Sequence, residues 1–228
     1  RDRHPPNQTA MNHPLPIERM PSPFETGAAT HPAQRDTNED QAVAGSFEGG
    51  AYVIVADGVG GEAWGDEASA IAVKFAENAL RAHTHAYLKL GKPIDLPGVL
   101  AAAYRSAGKG LRIKAVEHRR RFGLKTTLII GLVCQGQLAV GFVGDGGLWL
   151  WQKTEAGPSL QSLMEPMANA AGELEGVLSP WHFREPRVRI VPWVPQGVLI
   201  AATDGIADPI PPDGLAYVVP CEAEVGGV

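Results

Sequence analysis

Two hundred and twenty-eight residues suit one domain, at most one domain with a tail, and 44% hydrophobic residues supply a core, which excludes wholesale disorder. Against 25 acidic residues stand 20 basic ones, and the resulting net charge of -5 is the wrong sign for a phosphate-backbone partner, so nucleic acid is not an expected ligand. No apolar run approaches the roughly 20 residues of a membrane helix, and the two cysteines, Cys134 and Cys221, are too few for a disulfide framework and form no CxxC pair.

The first 30 residues lack the apolar core of a secretion signal, which together with the cysteine usage points to a reducing, cytoplasmic setting. The chain begins at Arg1 rather than Met, so its natural start is expected to lie upstream. Seven prolines fall in residues 1–32, and at that density lost amide donors and fixed φ predict an extended, flexible tail. Residues 33–228 are then the folded domain.

Ala51–Ala56 is a short β-rich run that stops at Asp57-Gly58. From Asp66 the period changes: Ala68, Ile71, Ala72, Phe75, Ala76 and Ala79 share one helical face. A second helix fits Leu96–Val116, with Pro97 tolerated in a first turn that has no use for its missing donor. Strands are predicted over Thr126–Cys134, Gln137–Val143 and Leu148–Trp151. The short Gln135-Gly136 and Asp145-Gly146-Gly147 connections suit an antiparallel meander. Residues 153–186 read as an irregular surface excursion, Arg187–Val191 as an edge strand, and Val198–Ala202 as a buried strand ending at Thr203-Asp204-Gly205. Strands, two helices and further antiparallel strands indicate an α+β protein rather than βαβ units.

Asp57, Asp145 and Asp204 each end a hydrophobic strand and each precedes a glycine. A fourth acidic spot, Asn38-Glu39-Asp40, precedes the first predicted strand. A single Asp-Gly is an ordinary turn dipeptide. Three at strand ends, with the Asn-Glu-Asp cluster, can converge on one rim of a sheet. Gathered carboxylates repel and raise one another's pKa. Hard divalent cations such as Mn²⁺ or Mg²⁺ resolve that conflict through carboxylate, carbonyl and water oxygens. A rival pattern overlaps the first acid: Gly58 to Ala63 reads G-x-G-x-x-A, a dinucleotide-binding fingerprint. It is opposed by Asp57 beside the pyrophosphate position and by the lack of an acid ending a second strand some 20 residues on.

The ordered set of motifs resembles the metal-dependent protein phosphatases of type 2C in their bacterial form. The matching elements are Arg35-x-x-Asn38-Glu39-Asp40; Ala56-Asp57-Gly58-Val59-Gly60-Gly61 with Gly65 and Ala68-Ser69; Thr126-Thr127; Gly144-Asp145; and Ala202-Thr203-Asp204-Gly205 with Asp208. The resemblance spans about residues 33–210. It implies a four-layer αββα sandwich, two antiparallel sheets flanked by helices, with a binuclear Mn²⁺ or Mg²⁺ centre. Asp57 would bridge both ions, the Gly58 carbonyl would ligate the first, and Asp204 the second. Glu39 and Asp40 would act near the first ion, partly through water, and Asp145 would support a weaker third ion beside Asp204. Arg35 would clamp the phosphate, as its fork matches phosphate oxygens in two places. The implied reaction is hydrolysis of phosphoserine or phosphothreonine in proteins by a metal-activated water, opposing a serine/threonine kinase. Ser69 and Cys134 then need no catalytic role, and Cys134 reads as a core strand residue.

Three departures are visible. Val59 stands where some members place a histidine. Gly146-Gly147 replaces a Ser-Arg pair. After Asp204 no closing Asp-Asn element with its helix and strand is recognisable, Asp213-Gly214 lying too close behind two prolines. The chain is therefore expected to be a fragment lacking that ligand. The missing acid also keeps open an alternative, a catalytically weak phosphoprotein-binding regulator of the same fold. Trp149 and Trp151 read as half-buried strand packing, and Arg119-Arg120-Arg121 with His118 and Lys125 as a solvated helix end. His182 shows no metal-site spacing.

Overall fold

The structure of the protein, a computed structural model, describes residues 23–33, 36–59, 64–118, 123–165, 167, 174, 176–211 and 214–215. A hairpin of β1 (Asp40–Phe47) and β2 (Gly50–Asp57) leads into two long helices, α1 (Gly65–Lys89) and α2 (Leu96–Glu117). There follow β3 (Leu128–Cys134), β4 (Gln137–Val143), β5 (Gly147–Thr154), β6 (Gly157–Ser162), β7 (Arg187–Pro192), β8 (Val198–Ala202) and the single turn α3 (Asp204–Ala207). The strands make two antiparallel sheets, ordered β1-β2-β3-β4-β7 and β6-β5-β8. This is the expected α+β arrangement of two antiparallel sheets with helices.

The centre of the larger sheet is buried on both faces, as β3 shows. Leu128, Ile130, Leu132 and Cys134 point to the helices, where Leu80, Leu100, Tyr104 and Leu111 meet them. Ile129 and Val133 point the other way, into a core shared with Leu148 and Leu150 of the smaller sheet. A strand covered on both sides needs apolar residues at every position rather than at alternate ones, which is why β3 reads as an unbroken apolar run. Each fully buried aliphatic side chain there contributes roughly 1.5–3 kcal/mol. Tyr104 is wholly buried, and its hydroxyl donates to the Leu128 carbonyl at 3.0 Å, so no polar group is stranded. Pro97 lies in the first turn of α2 as expected, and the Asp95 carboxylate caps that turn by accepting from the Gly98 amide at 3.1 Å. On the outer face of the smaller sheet, Trp149 and Ala202 pack with Ala207, Ile210 and Leu215.

Five expectations need correction. Val198–Ala202 forms β8, but as the part-exposed edge of the smaller sheet rather than a buried strand. The Asn-Glu-Asp cluster does not merely precede the first strand; its last residue, Asp40, opens β1, which pairs with β2 along its whole length. The predicted meander breaks after β4, since β5 joins the other sheet. The turn between them is made with Gly144 at φ 106° and Gly146 at φ 102°, a left-handed region that glycine enters without strain. The excursion assigned to 153–186 contains β6, held by β5. Trp149 and Trp151 are buried rather than half-buried. The edge position of β7 is as expected, as is Cys134 in the core. β2 lies between antiparallel neighbours and α1 leads to another helix, so the βαβ unit of a dinucleotide site is absent from the described residues.

Ahead of Ala33 the chain already touches the folded body. The Phe24 ring stands 6.0 Å from that of Trp193, and Thr30 donates to the Asp40 carbonyl at 3.3 Å. The expected tail before residue 23, Arg119-Arg120-Arg121, Asp213 and the stretch from 216 onward lie outside the described residues.

Candidate metal centre

The strand-end acids meet at one rim. Asp40 opens β1 directly opposite Asp57, the last residue of β2. The Asp57 backbone is held by two threonines beyond the end of the regular β2–β3 ladder. Its amide donates to Thr127 Oγ1 at 2.9 Å, and its carbonyl accepts from Thr127 N and Thr126 Oγ1, each at 2.8 Å. Asp204 arrives from the other sheet as the first residue of α3. Thr203, just before it, donates from Oγ1 to Asp40 Oδ2 at 2.9 Å, joining the two sheets at this rim.

The electrostatics register the crowding. Burial pushes the Asp57 carboxyl up to about 8, and the Asp40 and Asp204 carboxylates beside it add to the rise. Asp145, in the β4–β5 turn, is raised by burial and then by Asp204, with a smaller push from Asp208. Asp204 thus faces both Asp57 and Asp145, so the three strand-end acids form one electrostatic group.

The remaining candidates surround it. The Gly58 amide donates to the Glu39 carbonyl at 3.1 Å. Gly58 and Gly65 approach so closely that a methyl on Gly58 would strike the Gly65 carbonyl. A methyl on Gly65 would stand 2.5 Å from Glu39 Oε1 and 3.0 Å from the Gly58 carbonyl oxygen. The Glu39 carboxylate and the Gly58 carbonyl therefore lie together at the start of α1. Arg35 falls outside the described residues. Sequence reasoning gave no role to Thr203, Thr127 or Asp208. Thr203 and Asp208 flank Asp204 in the same motif, and Thr127 belongs to the Thr126-Thr127 element, so adjacency in a motif is the signal that the sequence carries.

This donor set fits a hard divalent cation by type and charge: carboxylate oxygens with a backbone carbonyl, and a half-buried acid whose carboxyl is pushed up by burial and by its acidic neighbours. It is a cluster rather than a finished coordination shell. Among the described residues no three His, Cys, Asp or Glu side chains already form a group that could enclose an ion. Closing on a cation therefore needs side-chain movement, and the raised Asp57 carboxyl couples that step to release of a proton.

Comparison with known proteins bears on the fold and the family. No curated protein sequence matches the chain. Among solved structures it is similar to the serine/threonine phosphatase PstP/Ppp of Mycobacterium tuberculosis, at 20% identity, TM-score 0.64, and coverage of 82% of this chain and 81% of that one. The catalytic domain of PstP in complex with two manganese ions is similar at 22% identity and TM-score 0.64, covering 80% and 78%. A serine-threonine phosphatase 2C from Toxoplasma gondii follows at 16% identity and TM-score 0.63, covering 81% and 78%. The family model described as Protein phosphatase 2C matches residues 28–220, and the chain belongs to that family.

Proposed function

We propose that the acid rim is the working centre of the activity that the family carries, metal-dependent hydrolysis of phosphoserine and phosphothreonine in proteins, with manganese as a competent metal. Asp57 is assigned to both ions of a pair, the Gly58 carbonyl with Glu39 and Asp40 to the first, and Asp204 to the second. Asp145 with Asp204 is assigned to a weaker third ion, and Mg²⁺ to the same sites as an alternative metal. The observation that carries this reading is Asp57 wedged between Asp40 and Asp204 with its carboxyl pushed up to about 8. Hard divalent cations bound at such a rim supply charge neutralisation and an acidified water near neutral pH.

The chain's own residues do the positioning. Thr126 and Thr127 fix the Asp57 backbone in the larger sheet, and Thr203, next to Asp204 of the smaller one, holds the Asp40 carboxylate, so acids from the two sheets keep a set spacing before any ion arrives. Val59 carries no proton donor, so protonation of the departing alkoxide falls to water. Arg35 is assigned to the substrate phosphate. Arg35→Ala should lower catalytic efficiency on a phosphothreonine peptide by about ten- to a hundredfold, the scale of a lost charge-assisted hydrogen bond. Mn²⁺ affinity by calorimetry should stay unchanged; an equal fall in both would make Arg35 structural.

We further place the enzyme in a bacterial cytoplasm, in signalling opposite a serine/threonine kinase. The likeness to PstP/Ppp supports this. Fractionation of the source cells tests the placement.

A further inference from the structure

Among the described residues strand β7 is paired on one side only, by β4. Among the described residues no backbone hydrogen bond reaches Arg187 to Val191 from the other side. The register with β4 sorts the β7 side chains. Val188 lies opposite Gly141 and Ile190 opposite Ala139, on the helix side, where the space above Gly141 is filled by Tyr104 and Leu100 of α2. Arg187 and Arg189 lie opposite Phe142 and Val140, on the side facing the smaller sheet. Val188 and Ile190 are 42% and 40% exposed. Phe183, at 44%, extends the apolar side along α2, where it sits over Gly108, one turn on from Tyr104. Among the described residues neither Arg187 nor Arg189 is in an ion pair, in a chain whose net charge is -5.

We infer that the free edge of β7 is a docking strand for an extended segment of a partner protein in which acidic and apolar residues alternate. An added strand takes its affinity from main-chain hydrogen bonds and its specificity from alternate side chains. Beside β7, one set of alternate positions would face Arg187 and Arg189, and the other would cover Val188 and Ile190. Charge decides the occupant. A second copy of this chain pairing edge to edge would set arginine against arginine, whereas a carboxylate at that position neutralises it. Arginines alone would be an ordinary guard against self-pairing. A guarded edge gains nothing from two exposed aliphatics on its other face.

The inference goes beyond the phosphatase reading and does not rest on it. With strands spaced about 4.8 Å, a strand added to β7 lies about 19 Å across the sheet from β2 and Asp57. Changes on this edge should therefore leave aryl phosphate hydrolysis unaltered.

The test is fluorescence anisotropy with two labelled peptides of equal composition. One alternates Glu with Val or Ile over six positions; the other has the glutamates in one block. The alternating peptide should bind, the block peptide should bind roughly tenfold more weakly, and N-methylation of alternate amides should abolish binding. Arg187→Glu with Arg189→Glu should transfer the preference to a peptide alternating Lys with Val. Equal binding of the alternating and the block peptide, binding indifferent to N-methylation, or no binding would overturn the proposal. So would concentration-dependent dimerisation in light scattering that Arg187→Glu abolishes. Should the double variant fail to fold, the N-methylated peptide against the unaltered protein still decides.

Discussion

Thr203 Oγ1 donates a 2.9 Å hydrogen bond to Oδ2 of Asp40, across 163 positions of sequence and between two different sheets. Asp40 opens β1 of the larger sheet and Thr203 follows β8 of the smaller one, so this bond fixes how far apart the acids from the two sheets stand. Thr203→Val keeps the shape and removes the donor. A hydrogen bond to a charged group contributes about 1.5–3 kcal/mol, so Mn²⁺ affinity should fall by about tenfold or more. Thr203→Ser should restore it. Calorimetric titration checks both, and an unchanged affinity in Thr203→Val would remove the positioning role.

The protonation of Asp57 sets a pH dependence with a definite sign. Its carboxyl rises from an ordinary 3.8 to about 8 in the folded, metal-free chain. Between those values the folded state holds a proton that the unfolded state has released, so metal-free stability declines as pH rises through that window and levels off above it. Thermal melts in chelator from pH 5 to 8.5 should show this fall, and Asp57→Asn should flatten it. Mn²⁺ uptake should release about one proton below that pH, so affinity should climb with pH and then plateau. A melting temperature that climbs over this range without metal would contradict the arrangement.

Gly58 and Gly205 follow two of the clustered acids but differ in what they tolerate. A methyl on Gly58 meets the Gly65 backbone, while one on Gly205 meets nothing within 4 Å. Gly58→Ala should cost about 1–3 kcal/mol through overpacking, a melting-point drop of roughly 2–10 °C for a chain of this size. Gly205→Ala should leave the melting point within about 1–2 °C, as for a surface change. Equal effects would mean that the close approach at Gly58 carries no cost.

The same glycines show what a sequence can and cannot disclose. Asp-Gly at three strand ends marked the rim because acids at strand termini are legible wherever the strands are. The dipeptide alone did not say why the glycine is there: close approach at Gly58, positive φ at Gly146, open space at Gly205. Strands β2, β3 and β4 were legible as apolar runs, and α1 and α2 by their helical period. β1 was missed because Ala42, Ala44, Gly45 and Ser46 make no apolar run; it is a half-exposed edge held by β2. β6, with Gly157, Pro158 and two serines, forms only because β5 offers it an edge. The crossing of β5 into the second sheet was hidden, since a short glycine turn serves a hairpin and a crossover equally well. The Thr203–Asp40 bond has no local signature at that separation.

The most direct test of the metal-centre account is hydrolysis of a phosphothreonine peptide by the protein and by Asp57→Asn, with Mn²⁺ and with a chelator. The account predicts turnover that needs Mn²⁺, stops when the ion is removed, and falls by about a hundredfold or more in Asp57→Asn, the scale of losing a group that acts in the transition state. Turnover that persists in chelator, or that Asp57→Asn leaves within a few fold of the unaltered protein, would contradict it.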